Sequence, residues 1–240
     1  MKCAILCGGM GARLGELGEY LPKPLMRIGD KAVLEHIMDH YAKHGITDFV
    51  LCLGHLGDKI VRYFSNKGTN YKIEFVDTGE KSTKIDRLLK VKEILGDTFL
   101  VSYGDDLCNI NIQKLIKFHN KEGRMSTLTV VRLPSSYGVL TLHDFEPHLV
   151  SEFKEKPLIH EWINGGYFVF DKRIFDYIKE GEELEDHVLV RLAKEKQLAA
   201  FRHDGFWKSM NTLKDSVELN EMFDRGELKD LFGGVNGLAD

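Results

Sequence analysis

The chain has 240 residues, 43% of them hydrophobic and 29% charged, and its formal net charge is −4 at pH 7. This mild acidity argues against a nucleic-acid-binding protein, because such proteins usually present a basic surface. No apolar run approaches the ~18 residues that a membrane span requires, and no N-terminal basic segment leads into a longer apolar region as in a signal peptide. We therefore expect a cytoplasmic protein whose chain is long enough for one large α/β domain or for a domain with a small appendage.

The N-terminal segment predicts a strand that breaks into a glycine-rich turn. Residues 2–7 are mostly apolar, and residues 8–14 read Gly-Gly-Met-Gly-Ala-Arg-Leu. Glycines let the backbone bend tightly and bring N–H groups against a polyanion. The turn matches neither the Walker A loop nor the Rossmann G-x-G-x-x-G pattern, and alone it is equally typical of a plain strand-to-helix turn. Because Arg13 and the proline-flanked Lys23 add positive charge nearby, we favour triphosphate binding.

Extended and helical patterns then alternate through the first half of the chain. Extended runs are predicted at 49–53, 73–76 and 99–103, and helical spacing at 33–41, 60–64 and 85–95. Such alternation predicts βαβ units and a mostly parallel sheet, in which ligands bind at the C-terminal ends of the strands. The glycine turn and Asp105 both fall at such ends.

The second half has a more β-rich pattern. Extended runs are predicted at 128–131, 139–142, 150–153 and 167–170, and helices at 174–178, 184–192 and 213–223. The glycine-rich residues 233–240 are interpreted as a frayed tail.

The cysteines and histidines do not predict a metal centre. The four cysteines include no C-x-x-C pair and are interpreted as buried, reduced thiols. Three histidines recur every four residues in the first long helical pattern, namely His36, His40 and His44. We interpret them as a polar surface stripe, since no carboxylate or cysteine partner has matching spacing.

Three further segments carry side chains suited to phosphate or sugar chemistry. Asp105 follows an apolar strand and could hold Mg²⁺, although Gly-Asp also occurs in simple turns, and Asp106 is a candidate helix N-cap or partner. Glu155, Lys156 and Asn164 could bind a phosphorylated polyol, although a Lys-Glu-Lys run is usually solvated surface. Finally, Asn211 or Thr212 is placed to cap the last long helix.

Together these segments resemble the sugar-1-phosphate nucleotidyltransferases along most of the chain. The shared features are Gly8-Gly9-Met10-Gly11-Ala12-Arg13-Leu14, Pro22-Lys23-Pro24, Gly104-Asp105 and Glu155-Lys156-Pro157. Within that family the chain is most similar to the glucose-1-phosphate cytidylyltransferases, through Val76-Asp77-Thr78-Gly79, Arg87-Leu88, Ile163-Asn164-Gly165-Gly166 and Gly205-Phe206-Trp207.

The resemblance implies a Rossmann-like three-layer α/β fold with a mostly parallel central sheet and a small β-rich sugar-binding subregion. It implies one domain over 1–232, with a nucleotide-binding half at 1–125 and a sugar-phosphate-binding half at 126–232. It also implies that CTP and a sugar 1-phosphate, most simply glucose 1-phosphate, give a CDP-sugar and pyrophosphate with Mg²⁺ as cofactor.

The same resemblance assigns residues to roles. Nucleotide binding falls to Leu6, Gly8, Gly9, Met10, Gly11, Ala12, Arg13, Lys23, Ser82, Arg87 and Gly104. The catalytic residues would be Arg13, Lys23 and Asp105. The sugar phosphate would be held by Glu155, Lys156, Asn164 and Gly165, and the metal by Asp105 and, more weakly, Asn211.

Three departures from the family pattern leave alternatives open. Ala12 replaces a threonine, residues 84–86 (Lys-Ile-Asp) replace Thr-Gly-Gly, and Asn211 replaces a metal-binding aspartate. One alternative keeps the reaction with another phosphorylated sugar or polyol, or with dTTP, UTP or GTP. The other is a non-catalytic regulator that binds a nucleotide sugar. A shortened loop between Phe64 and Lys72 leaves homo-oligomerisation undecided.

Overall fold

The computed structural model describes residues 1–232, so the predicted tail at 233–240 lies outside the described residues. Its strands are β1 (Lys2–Leu6), β2 (Arg27–Ile28), β3 (Lys31–Ala32), β4 (Asp48–Leu53), β5 (Lys72–Asp77), β6 (Thr98–Tyr103), β7 (Asp106–Cys108), β8 (Ser126–Val131), β9 (Val139–Leu142), β10 (Val150–Lys154), β11 (Ile163–Asp171), β12 (Leu198–Arg202) and β13 (Trp207–Ser209). Seven of them form the central sheet in the order β12-β8-β11-β6-β1-β4-β5. Only β11 runs antiparallel to its neighbours in this sheet.

Every predicted helical segment coincides with helical structure, whereas the helices Leu17–Tyr20, Ile112–Glu122 and Lys229–Phe232 were not predicted. They are α1 (Leu17–Tyr20), α2 (Val33–Lys43), α3 (Gly57–Ser65), α4 (Lys84–Val91), α5 (Ile112–Glu122), α6 (Ile174–Tyr177), α7 (Val190–Lys194), α8 (Leu213–Asp224) and α9 (Lys229–Phe232). A π-helical segment, Leu184–Leu189, leads into α7, and short 3₁₀ turns lie at Ala12–Leu14, Lys23–Leu25 and Lys92–Ile94. In the part of the chain that the structure describes, no helix combines the length and apolar character needed to cross a membrane.

Two apolar layers cover the two faces of the sheet, which confirms the predicted three-layer α/β fold. In β1, Cys3 and Ile5 point into one layer, with the apolar residues of α2, α3 and α5, whereas Ala4 points into the other, with those of α4 and α6. Each side of β1 is therefore buried, as expected for a central parallel strand. The four cysteines are free and buried, as predicted.

The β-rich region of the second half is a two-stranded antiparallel hairpin, β9 with β10, outside the main sheet. The predicted strands at 139–142 and 150–153 are confirmed, and the residues of both strands are exposed. Glu155 and Lys156 follow directly after β10 and are also exposed.

The interpretation of the histidines as a surface stripe is wrong. His36 and His40 are only 3% and 5% exposed, and His44 is partly buried. His36 Nε2 lies 2.8 Å from the Ile28 carbonyl oxygen, and His40 Nε2 lies 2.7 Å from the Ile110 carbonyl oxygen. These carbonyl partners compensate for the loss of water and allow imidazoles to pack inside the fold. Asp106 is likewise not a helix N-cap, because it begins β7.

The strand order creates a switch point beside β1. From β1 the sheet extends through β4 and β5 on one side, and β6 then pairs with β1 on the other side, with Leu6 opposite Tyr103. In open α/β sheets, ligands bind outside the carboxyl ends of the strands where the order reverses. The residues that follow β1 and β6 therefore meet at the expected position for a site.

Candidate active site

A cavity of about 640 Å³ opens at the C-terminal ends of β1 and β6. Twelve of the residues predicted for the site line it: Leu6, Gly8, Gly9, Gly11, Arg13, Lys23, Ser82, Arg87, Gly104, Asp105, Asn164 and Asn211. Its volume lies within the range of about 300–1,000 Å³ that is usual for small-molecule sites. Residues from both halves of the chain, some 200 positions apart in sequence, thus contribute to one cavity.

The glycine turn packs directly on a buried arginine. Arg87, on α4, donates through Nη2 to the Gly8 carbonyl oxygen at 2.9 Å and through Nη1 to the Leu53 carbonyl oxygen at 2.9 Å. A Cβ at Gly8 would lie 2.2 Å from Arg87 Nη1 and 2.7 Å from the Gly54 nitrogen. Only glycine fits this approach, whereas a Cβ at Gly9 would meet nothing within 4 Å. Arg87 therefore holds the turn in place by donating hydrogen bonds to backbone carbonyl oxygens of the protein.

Lys23 lies between two oxygen-bearing side chains. Its 3₁₀ turn, Lys23–Leu25, is flanked by Pro22 and contains Pro24, so the local backbone has little freedom. The Lys23 ammonium pairs with the Asp105 carboxylate and donates to Asn211 Oδ1 at 2.8 Å. Arg13 Nη1 lies 3.5 Å from the same Asn211 oxygen. Two cations, one carboxylate and one amide thus meet beside the glycine turn.

Asp106 adds a second carboxyl group to the cavity wall. Its side chain is buried, and burial together with the charge of Asp105 raises the pKa of Asp106 to about 7. Gly166, in the left-handed region at φ +76°, packs against it, since a Cβ there would lie 2.2 Å from Asp106 Oδ2. The absence of a Cβ at Gly166 therefore leaves room for this carboxyl group.

Four other predicted residues, namely Met10, Glu155, Lys156 and Gly165, are not among those that line the cavity. Met10 is 61% exposed, and Glu155 and Lys156 lie exposed after the β9–β10 hairpin. Gly165 is buried, and its carbonyl oxygen accepts from Trp207 Nε1 at 2.8 Å. Ala12 lies in the 3₁₀ turn Ala12–Leu14. The roles given to these residues by resemblance stay predictions.

Nine of the described residues that line the cavity were not predicted for the site, namely Cys7, Pro24, Thr83, Lys84, Tyr103, Asp106, Glu183, Trp207 and Ser209. Lys84 belongs to the segment that departs from the family's Thr-Gly-Gly pattern. Tyr103 is the last residue of β6, so its place at the C-terminal edge could have been predicted from the strand end.

The family described as "Nucleotidyl transferase" matches residues 2–225 of the chain. The chain belongs to this nucleotidyl transferase family. A probable glucose-1-phosphate cytidylyltransferase of Bacillus subtilis (strain 168) is 39% identical over 251 residues, covering 95% of this chain and 98% of that protein. The glucose-1-phosphate cytidylyltransferase of Salmonella typhi is 36% identical over 253 residues, covering 95% of this chain and 97% of that protein.

A solved structure supports the fold independently of close sequence similarity. The crystal structure of HddC from Yersinia pseudotuberculosis matches with a TM-score of 0.72 at 22% identity, covering 92% of this chain and 99% of that chain. At this identity the match concerns the fold alone. It agrees with the seven-stranded, mostly parallel sheet of this nucleotidyltransferase.

Proposed function

We propose that this nucleotidyltransferase transfers a cytidylyl group from CTP to glucose 1-phosphate, forming CDP-glucose and releasing pyrophosphate. The observation that carries the proposal is the position of Lys23, whose ammonium contacts Asp105 and Asn211 beside the glycine turn. This arrangement suits a reaction between two polyanions. The choice of CTP and glucose 1-phosphate is supported by the names of the two relatives that match over nearly their full lengths.

The reaction needs positioning and charge neutralisation more than proton transfer. A phosphate oxygen of the sugar phosphate attacks the α-phosphorus, the bond from that phosphorus to the bridging oxygen breaks, and pyrophosphate leaves with the electron pair. Since the second pKa of a phosphate monoester is about 6, the attacking group is already largely ionised at neutral pH. Lys23 and Arg13 supply the fixed positive charge, and the glycine turn supplies backbone N–H groups.

The oxygens around Lys23 also fit a divalent cation. Asp105 and Asn211 already converge on one cation, the Lys23 ammonium. Mg²⁺ typically uses one or two protein oxygen ligands and completes its shell with water and substrate phosphate. Among residues 1–232 no cluster of three or more His, Cys, Asp or Glu side chains forms a complete metal cage. We propose that Asp105 and Asn211 would hold Mg²⁺, which when bound would neutralise charge on the triphosphate.

The two halves of the chain are proposed to divide the substrates. Residues 1–125 supply the glycine turn, Arg13, Lys23 and Asp105, whereas residues 126–232 supply Asn164 on β11. Asn211 is an exception, because it comes from the second half but contacts Lys23. Both halves of the chain therefore contribute residues to the region proposed to bind the reacting phosphates.

A pyrophosphate-release assay tests the proposal. The purified chain would be combined with CTP, UTP, dTTP or GTP and with a panel of hexose 1-phosphates and phosphorylated polyols, in the presence of Mg²⁺. We expect release to be fastest with CTP and glucose 1-phosphate. If another nucleotide and sugar-phosphate pair released pyrophosphate faster, the substrate assignment would change but the reaction type would remain nucleotidyl transfer. Measurable CTP binding without release from any pair would favour the non-catalytic regulator, for which the neutral Asn211 is the specific argument.

A further inference from the structure

Four side chains form a continuous polar network on the cavity wall. Lys84 of α4 pairs with Glu185, which also accepts from the Tyr103 hydroxyl at 2.5 Å. The Tyr103 oxygen in turn accepts from Asn164 Nδ2 at 3.2 Å. The network therefore joins the ends of β6 and β11 to α4 and to the π-helical segment. Three of its members line the cavity, and Glu185 lies behind them.

Charge fixes the direction of every hydrogen bond in this network. Although burial opposes ionisation, hydrogen bonds from Lys84 and Tyr103 keep the pKa of Glu185 below its usual range. Burial and the Glu185 charge raise the pKa of Tyr103, so its hydroxyl keeps its proton. An ionised carboxylate can only accept, so Tyr103 must donate to it and can only accept from Asn164.

These directions determine how the Asn164 amide is oriented. Its NH₂ group faces Tyr103, and its Oδ1 accepts from the Gly166 N–H at 2.8 Å. The Tyr103 ring is itself held between the Lys84 ammonium, 4.7 Å from its centroid, and the Phe168 ring at 5.6 Å. Within the described residues, the second Nδ2 hydrogen of Asn164 has no protein acceptor. It is available to a hydroxyl oxygen of a ligand in the cavity.

We propose that Tyr103 is a positioning residue which, backed by Glu185 and Lys84, orients the Asn164 amide toward a hydroxyl group of the sugar. The inference rests on the proposed function, which places the sugar at Asn164. Because Glu185 balances the charge of Lys84, this wall presents a neutral amide donor and suits an uncharged sugar ring. Tyr103 should therefore control affinity for the sugar and leave nucleotide affinity nearly unchanged.

The chain contains a second Lys-Glu-Tyr set that serves as a matched control. Lys67 pairs with Glu35 and lies 5.0 Å from the centroid of the Tyr63 ring, and the Tyr63 hydroxyl donates to Glu35 at 2.7 Å. None of these three residues is among those lining the cavity. Tyr63→Phe thus removes a tyrosine hydroxyl that donates to a Lys–Glu ion pair, as Tyr103→Phe does, but at a position that does not line the cavity.

The experiment compares the binding of CDP-glucose and CDP by calorimetry in the wild-type chain, Tyr103→Phe and Tyr63→Phe. The ratio of the two affinities isolates the contribution of the sugar. We expect Tyr103→Phe to lower this ratio about tenfold, the effect of about one hydrogen bond, and Tyr63→Phe to leave it within twofold. Glu185→Gln, which changes a residue behind the cavity wall, should lower the ratio in the same direction by a smaller factor.

An unchanged ratio in Tyr103→Phe would overturn the inference, as would an equal fall in Tyr63→Phe or an equal loss of affinity for CDP and CDP-glucose. Thermal unfolding of both Phe variants checks that they remain folded to the same extent. The measurement needs no turnover. A wild-type chain that released no pyrophosphate would refute the proposed reaction and would still report, through the affinity ratio, whether Tyr103 acts on the sugar.

Discussion

The Lys23 ammonium donates to Asn211 Oδ1 at 2.8 Å, joining a residue near the N-terminus to one 188 positions later. The same ammonium pairs with Asp105. Arg13 Nη1 lies 3.5 Å from the same Asn211 oxygen, so two cations, one carboxylate and one neutral amide leave a formal net charge of +1 for a phosphate group. With an aspartate at position 211, the two carboxylates would cancel that charge. The proposed chemistry therefore depends on the balance of charge around Lys23.

Lys23→Met should greatly reduce turnover while the fold persists. The substitution keeps most of the side-chain volume but removes the cation that faces the reacting phosphates, and the loss of one such group typically costs about 10²–10³ in kcat. Pyrophosphate release measures turnover, and thermal unfolding checks the fold. Lys208→Met is the control, because Lys208 is also partly buried in an ion pair, with Glu218, and is not among the cavity-lining residues. Near-normal turnover in Lys23→Met would contradict the assignment.

Asn211→Asp should lower the Mg²⁺ concentration that supports half-maximal activity several-fold. A second carboxylate beside Asp105 attracts a divalent cation more strongly than an amide oxygen does. The side chain keeps its size, and Ser209, which now accepts from Asn211 Nδ2 at 2.8 Å, can donate to the new carboxylate instead. A Mg²⁺ titration of the initial rate gives the measurement.

Asn220→Asp adds the same charge elsewhere and serves as the control. Asn220 accepts from the Gly29 N–H and donates to the Arg27 carbonyl oxygen, outside the cavity lining. Its Mg²⁺ requirement should match that of the wild type. If the Mg²⁺ requirement changed equally in both variants, or in neither, position 211 would have no part in metal binding.

Gly8→Ala should destabilise the fold by about 1–3 kcal/mol, the usual cost of forcing extra volume into a packed site. The new methyl group would meet the Gly54 backbone nitrogen and the Arg87 guanidinium, which cannot move without breaking its hydrogen bonds to Gly8 and Leu53. Gly9→Ala meets nothing within 4 Å, and its stability should stay within about 0.5 kcal/mol of the wild type. Urea unfolding distinguishes the two variants, and equal stabilities would show that Arg87 does not hold the turn.

Local sequence signals predicted six of the seven strands of the central sheet and the two strand ends that form the site, because apolar runs and glycine turns are short-range patterns. β12 was missed, since Leu198–Arg202 is short, contains two alanines and is a strand only through pairing with β8. The Tyr103–Glu185 contact was also beyond prediction, because 82 residues separate the partners. The spacing of His36 and His40 correctly predicted that they share one face of a helix. It could not predict that other parts of the fold pack against that face and bury both side chains.

The buried His40 should make stability fall as the pH falls below about 6.5. Burial, followed by the nearby positive groups His44, Lys43 and His203, lowers the pKa of His40 to about 4 against an ordinary value of 6.5, although its bond to Ile110 opposes the shift. The unfolded chain therefore binds a proton at pH 5 that the folded chain does not. Neutral His40 contributes fully above pH 6.5, and its contribution is lost between 6.5 and 4, up to about 3 kcal/mol in all.

His40→Gln tests this dependence, since the glutamine amide can still donate to the Ile110 carbonyl oxygen without titrating. Urea unfolding at pH 7.5 and pH 5 should show that the wild type loses about 2 kcal/mol more than this variant between the two values. His143→Gln replaces an exposed histidine and should follow the wild-type pH dependence. If the wild type and His40→Gln lost stability in parallel, His40 would be protonated inside the fold, and its ring could not be the neutral, carbonyl-bonded group that the packing of α2 requires.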